Sequence, residues 1–427
     1  MHAAASSEMD ATPFLGWRVV GGAFVLAVFG WGVGFFGPPV FLSVVREVRG
    51  WPLALISAAV TVHFLAGALI GANLPALHRR FGAVSVTKIG AVALAAGTCG
   101  WAAAATPWQL FAACAVSGAG WGGMSAAAIN ALVSPWFVRS RPTALAMAYN
   151  GGSIGGVLFS PLWVAAIGLL GFSGATAAIG VVVVLTMWVV AGRLFSRTPQ
   201  QLGQAPDGDA PGAPAASVTS PAARALPGSL LWRDRKFVTL SAGMAFGLFA
   251  QIGLIAHLFS LLVPALGAHR AGLAMGLITV MAIAGRTLLG WTMPPGADRR
   301  LVACGGYLAQ LAGSVVLVLA EGTSVPLLLL GVVLFGAGFG NATSLPPLVA
   351  QVEFVERDVG RVVALIVGFS QGTYAFAPAI FGLIRELAPH DNAGAAPFLF
   401  AAAALVQGLA IVAFLAGRAR QKSAPRM

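Results

Sequence analysis

Long apolar runs alternate with short polar breaks along the whole chain, at about 18–45, 53–77, 84–105, 108–137, 142–169, 172–195, 237–264, 271–294, 301–320, 324–352, 361–385 and 394–417. Each approaches or exceeds the roughly 20 residues that a helix needs to cross a bilayer. None shows the period-2 alternation of a barrel strand, and in lipid a continuous apolar run must satisfy its backbone as a helix. One stretch differs: from Thr198 to Arg235 the chain is rich in Pro, Gly, Ala and Ser, a flexible-linker composition. The pattern predicts an all-α integral membrane protein with twelve transmembrane helices in two six-helix bundles. Its expected parts are an N-terminal tail (1–17), a first bundle (18–197), a linker (198–236), a second bundle (237–417) and a C-terminal tail (418–427).

The bundles read as copies. Gly118-Ala-Gly-Trp-Gly122 in the fourth run recurs as Gly336-Ala-Gly-Phe-Gly340 in the tenth, and at that offset Arg139 meets Arg357. Two residues further on in offset, Arg79-Arg80 meets Arg299-Arg300, Arg141 meets Arg361 and Gly152 meets Gly372. A repeat of this length predicts a pseudo-two-fold axis between homologous bundles.

Composition agrees and narrows the class. Of the 427 residues 58% are hydrophobic and 9% charged, against about 25% charged in a soluble domain. A soluble enzyme, a disordered chain and a disulfide scaffold are excluded, and Cys99, Cys114 and Cys304 lie in apolar stretches as small hydrophobes. The N-terminus carries Glu8 and Asp10 and lacks a basic n-region, so the first run is expected to be retained rather than cleaved as a signal peptide. The net charge of +12 would suggest nucleic acid in a soluble protein. Here 20 of the 25 Lys and Arg fall on one side of an alternating topology and only Arg46, Arg49, Arg270 and Arg385 on the other. The positive-inside rule then places both termini and the linker in the cytoplasm, with the basic face against lipid headgroups and no role for nucleic acid. The remaining cation, Arg286, lies inside the eighth run.

This organisation resembles the major facilitator superfamily, which implies alternating access of a substrate held between two six-helix halves. Three stretches are similar to its monocarboxylate-transporter and oxalate/formate-antiporter branch: Gly16-Trp-Arg-Val-Val20 at the first helix, Arg139 through Leu162, and Gly285-Arg-Thr-Leu-Leu-Gly290 in the eighth. The resemblance implies that Arg286 binds a substrate carboxylate. The chain also departs from the pattern. Leu77-His-Arg-Arg-Phe-Gly82 lacks the superfamily's loop acid, Pro38-Pro39 stand near the branch's first-helix lysine, Ala282 replaces an acid, and Gln371 and Tyr374 stand where oxalate carriers have a second cation.

The residues support an anion site independently. An arginine within a span is costly, stays charged, and presents a planar fork that fits a carboxylate. Asp and Glu fall only near run ends, so one unpaired cation suits a monoanion. His63 and His257 are the candidates for proton coupling, although a lone histidine on an apolar helix is more often a packing residue. Gln251, Gln371, Tyr374, Asn341, Asn130 and Tyr149 are intramembrane polar residues that bind substrate or join helices. Trp31, Phe35 and Phe36 wall the cavity or pack; Trp17, Trp51, Trp108, Trp136 and Trp232 read as interfacial anchors. Pro38-Pro39 and Pro346-Pro347 are expected to break their helices. The glycine runs follow no strand and precede no P-loop lysine, so no nucleotide, metal or other cofactor is expected. The reading is therefore a monomeric secondary transporter in a bacterial inner or plasma membrane, moving a small organic anion, a monocarboxylate, by proton coupling or exchange. The alternative is efflux of hydrophobic drug-like compounds. A sensor would need a signalling domain, and an enzyme a reactive constellation that the runs do not contain.

Overall fold

A computed structural model describes residues 14–209, 228–294, 297–387 and 396–418. Residues 1–13 and 419–427 of the expected tails and 210–227 of the expected linker lie outside these. Among the described residues there are no strands. The first bundle contains α1 (Gly16–Gly34), α2 (Gly37–Arg49), α3 (Leu53–Phe81), α4 (Ala83–Ala103), α5 (Pro107–Gly122), α6 (Ala126–Val133) and α7 (Arg141–Leu194). After the short α8 (Gly228–Leu231), the second contains α9 (Arg235–Thr292), α10 (Arg299–Leu319), α11 (Val325–Phe339), α12 (Asn341–Glu353), α13 (Glu356–Tyr374), α14 (Ala377–Leu387) and α15 (Pro397–Ala416).

Two of these are too long to be single crossings. The 54 residues of α7 and the 58 of α9 would reach about 80 Å at 1.5 Å per residue, against a hydrocarbon core of about 30 Å. Each turns back at one glycine in the left-handed half of φ space, Gly171 at φ 69° and Gly267 at φ 74°, where a Cβ would be strained. Each is therefore two antiparallel spans. Conversely α1–α2, α5–α6, α11–α12 and α13–α14 are pairs of half-helices that each make one span. The count is twelve spans among the described residues, in two sets of six. Large apolar side chains such as Leu185, Leu405 and Val412 remain exposed, as a lipid-facing surface requires.

Equivalent glycines bind the two sets in the same way. A Cβ on Gly118 would overlap the His63 carbonyl oxygen, and one on Gly336 would meet the Ile278 oxygen at 2.9 Å. One turn on, Gly122 faces the Gly67 oxygen and Gly340 the Ala282 oxygen. The repeat thus holds at the level of packing: span 4 lies on span 2 as span 10 lies on span 8. Span 1 breaks at Phe35–Phe36, directly before Pro38-Pro39 as expected, whereas spans 4 and 10 break where these motifs end, at Gly123–Ser125 and at Gly340, and not at Pro346-Pro347. Pro38 and Pro39 sit in the first turn of α2, where a missing N–H is tolerated, and α12 continues through Pro346 and Pro347. Trp136 is not an interfacial anchor either: it is buried and its ring meets Phe14 edge-on.

The face carrying the chain start, the linker and the loop between spans 4 and 5 is called the linker face below. There the linker clasps the first bundle. Asp207 accepts the backbone N–H groups of Val138, Arg139 and Ser140 at 3.0, 2.8 and 3.0 Å, so it ties down the turn that leads into α7. Partial burial works to raise the Asp207 pKa, but these hydrogen bonds outweigh it and hold the carboxyl below its ordinary range. A depressed native pKa gives stability that is present above the unfolded value, near 4, and is lost as pH falls through the folded one. Asp207→Ala is expected to cost about 1 kcal/mol and to speed proteolysis in the linker at pH 7. Once pH has fallen below the depressed folded-state pKa as well, so that both states bind the proton, the difference between the two proteins should disappear.

Candidate functional site

The two bundles meet through the far halves of their spans. Ser57 of α3 faces Gly382 of α14, and Gly272 of α9 lies against Ser160 and Val164 of α7. The Ala54 N–H, at the start of α3, donates to Glu386 at 2.7 Å, and the Ala379 N–H, at the start of α14, donates to the Thr61 hydroxyl at 3.2 Å. Each bundle therefore satisfies an orphan N–H at a helix start in the other. Nearer the linker face, α6 packs on α1, α3 and α7 of its own bundle, and α12 on α9, α10 and α13 of its own. The far face is the joined one. Removing a cap acceptor there should weaken that closure by about 1 kcal/mol, close to a fivefold shift in population. On a cysteine-free background, Glu386→Ala should speed maleimide labelling of Leu53→Cys from the far face by that factor. An unchanged rate would show that Glu386 does not hold the joint.

Below this joint the break in span 10 organises the polar groups of the second bundle. Carbonyls at a helix end lack intrahelical partners. Here three consecutive ones are met by side chains from three different spans: Gln310 Nε2 donates to the Gly338 oxygen at 3.1 Å, Gln251 Nε2 to Phe339 at 3.2 Å and Arg286 Nε to Gly340 at 3.2 Å. The Ser344 hydroxyl also donates to Gly340. Arg286 has five N–H donors, and this is its one hydrogen bond among the described residues. Both terminal amino groups of the guanidinium are left without an acceptor among the described residues. Gln251 Oε1, Gln310 Oε1, Asn341 Oδ1 and the Tyr307 hydroxyl are likewise buried and unpartnered. Asn341 is thus at the break rather than mid-helix, and its amide lies against Gly306 of α10, in a small cavity lined also by Tyr307 and Gln310. Gln310 and Tyr307 were not apparent from sequence; a lone amide inside an apolar run, the pattern that marks Gln251, would have found Gln310.

The other candidates are distributed differently. Gln371 is half-buried and hydrogen-bonds the Tyr374 hydroxyl, one turn on along α13, while the Tyr374 ring meets Phe64 of the first bundle at 6.0 Å. Tyr149 donates to the Ala126 oxygen at 3.2 Å, and exposed Asn130 accepts from the Ser134 hydroxyl. Both bonds lie inside the first bundle and join its own segments. His63 is buried with both ring nitrogens engaged, Nε2 with the Gly34 oxygen at 2.8 Å and Nδ1 with Ser117 Oγ at 2.9 Å. His257 is also buried. Its Nε2 contacts the Pro378 oxygen at 3.0 Å, but Nδ1 has no partner. Arg385 donates to Ser260, which donates to the His257 oxygen, so this histidine sits in the polar layer beneath the far joint.

A second arginine calibrates the first. Arg300, only 1% exposed, uses Nε and Nη2 on the Glu353 carboxylate at 2.6 and 2.8 Å, Nη2 again on the Lys236 oxygen, and Nη1 on Thr239 Oγ1 and the Phe414 oxygen. All of its donors are engaged by protein. Its repeat partner Arg80 lies exposed over the neighbouring Phe81 ring. Equal spacing in sequence has produced a structural core arginine in one bundle and a surface one in the other.

Comparison with known proteins places this geometry. No sequence relative was found among curated proteins. Among solved structures, the D-xylose-proton symporter is similar at a TM-score of 0.73 and 15% identity, over 94% of this chain and 97% of that one. The nucleoside transporter NupG gives 0.71 and 13%, over 94% and 99%. A bacterial homologue of the human lysosomal transporter Spinster, in an inward-facing and occupied conformation, gives 0.68 and 14%, over 95% and 96%. At such identities the likeness concerns the fold. The family match is one of sequence and spans residues 22–378. The chain belongs to the Major Facilitator Superfamily, and is a multi-pass membrane transporter.

Proposed function

We propose that the protein carries a small organic anion, a monocarboxylate, by alternating access between its two bundles, either with a proton or by exchange. The observation that carries this reading is the free fork of Arg286. A guanidinium within a span, with one donor on protein and both amino groups without an acceptor among the described residues, suits a bidentate carboxylate brought by the cargo. Gln251, with an unpartnered oxygen beside the same helix break, would meet a hydroxyl or amide on that cargo, whereas the Asn341 amide is turned to α10. Gln371 and Tyr374 would face it from α13. Of the two histidines, His257 is the better placed proton carrier, because one nitrogen is free and it underlies the joint that must open; His63, Asn130 and Tyr149 are engaged within the first bundle. The likeness to the monocarboxylate and oxalate/formate branch agrees with this assignment. The basic linker face would be cytoplasmic in a bacterial inner membrane, the far face closed and the site open inward, with the protein acting as a monomer.

The experiment is uptake into proteoliposomes of labelled monocarboxylates at two internal pH values, with Arg286→Lys and Arg286→Ala beside the native protein. Saturable uptake of at least one acid, lost in Arg286→Ala, is expected. Failure of the folded native protein to take up any carboxylate would move the assignment to export of lipophilic compounds.

A further inference from the structure

Lys88 is a charge inside a span that the transport site does not use. It is the sixth residue of α4, and neither α4 nor the half of α7 after Gly171 contains an Asp or Glu. Its ammonium lies over the Trp188 ring of α7, 4.5 Å from the centroid. A Cβ on Gly192, one turn further toward the end of α7, would lie 3.9 Å from Nζ. The stem therefore runs toward the linker face and brings the charge to the last turn of α7, which also carries Arg193.

This groove between α4 and α7 faces lipid. Ile89 and Val92 of α4 and Leu185 and Val189 of α7 are exposed, and Trp188 is 51% exposed. Among the described residues neither Lys88 nor Arg193 makes a hydrogen bond or an ion pair, and the Trp188 indole N–H has no acceptor. A cation over a ring is drawn to the ring's face, but its N–H donors stay unsatisfied. The acceptors for these groups lie outside the protein, in the headgroup layer.

The fold does not need the charge. Gly97 packs on Ser117 in the first bundle as Gly313 packs on Phe335 in the second, and that register sets Cys304 in the place of Lys88. Cys304 is small and buried, with its thiol on the Ile411 carbonyl. The matching contact of α10 with α15 thus forms without a cation.

We infer that the groove between α4 and α7 is a binding site for an anionic phospholipid. Its phosphate would sit on Lys88 and Arg193 beside the Trp188 indole, and its chains along the exposed aliphatic side chains of both helices. The basic linker face attracts such lipids as a whole; this groove gives one of them a fixed place. The assignment is independent of the cargo.

The test is native mass spectrometry of the full-length protein in detergent, titrated with phosphatidylglycerol or with phosphatidylcholine of the same chains. The readout is the affinity for the first lipid bound. Phosphatidylglycerol is expected to bind at least about fivefold tighter, the share of one surface cation. Lys88→Met keeps the stem and removes the charge, and should bring the two lipids to within about twofold; Lys88→Gln serves should Lys88→Met fail to fold. Arg235→Gln removes an exposed cation of the same face in the second bundle and should leave the preference unchanged. Equal affinity of the native protein for both lipids would overturn the site, and so would a preference kept in full by the folded Lys88 variants. An equal loss in Arg235→Gln and Lys88→Met would replace the site by attraction spread over the whole face. Displacement of the lipid by an equal concentration of glycerol 3-phosphate would overturn the lipid and make the ligand a soluble phosphate.

Discussion

An Arg300→Ala protein is expected to lose about 3–5 kcal/mol of stability, the largest effect of any single substitution outside the transport site. The cost comes from what remains behind. Glu353 would keep a partly buried carboxylate without its bidentate partner, and the Lys236 and Phe414 carbonyls and the Thr239 hydroxyl would each lose a donor. These groups come from the two ends of the second bundle and from spans between them, so the loss should loosen the linker-face end of that bundle. Gly417 also records how tightly the guanidinium is held: a Cβ there would overlap Arg300 Nη1. Cys304, one turn along α10 from Arg300 and buried, provides the measurement. Its labelling on heating should begin at a lower temperature in Arg300→Ala, while unfolding of the first bundle, followed through labelling of Cys99, should shift less. Arg300→Met with Glu353→Met should recover part of the loss, because removing both charges leaves neither one unpaired in the interior. Stability within about 0.5 kcal/mol of native in the single variant would show that the network contributes nothing.

The same two arginines show how far the sequence could be read. The spans, their number and the repeat follow from apolar length and from paired glycines and arginines, because lipid leaves the backbone few alternatives. Even so, α7 and α9 run through their turns as nearly continuous helix, and only Gly171 and Gly267 reveal the reversal. The breaks were legible only in part. Pro38-Pro39 mark the one at Phe35–Phe36, but α12 absorbs two prolines, and the breaks at Gly123–Ser125 and Gly340 occur where close packing of glycines ends. In the site, Arg286 stood out as the one charge deep in an apolar run. Nothing in the sequence separated the structural Arg300 from the surface Arg80, since the difference lies in Glu353, for which the first bundle has Pro135. Gln251 and Asn341 were visible as isolated amides. That they converge on one broken helix end depends on side chains from four spans and could only come from the packing.

Arg286→Ala should behave as the mirror image of Arg300→Ala: transport lost, stability kept or raised. The substitution frees the Gly340 carbonyl, but Ser344 already donates to it at 3.3 Å, so little is left unsatisfied. It also removes a charge whose placement within a span costs about 2.5–3.5 kcal/mol on insertion scales. Thermal unfolding should therefore begin no lower than in the native protein. Substrate recognition should suffer, because truncating one partner of a buried charge pair costs about 2–5 kcal/mol. The half-saturating concentration should rise at least about 30-fold, which in practice abolishes uptake. Arg286→Lys tests whether the fork matters beyond the charge. A lysine presents a point charge on a flexible stem, and a loss of about tenfold with retained saturation is expected for a cargo gripped through both carboxylate oxygens. Equal uptake by Lys and Arg would mean that charge alone attracts the cargo. A protein that melts early on losing Arg286, like the Arg300 variant, would mark Arg286 as a brace for the broken helix rather than a ligand for the cargo.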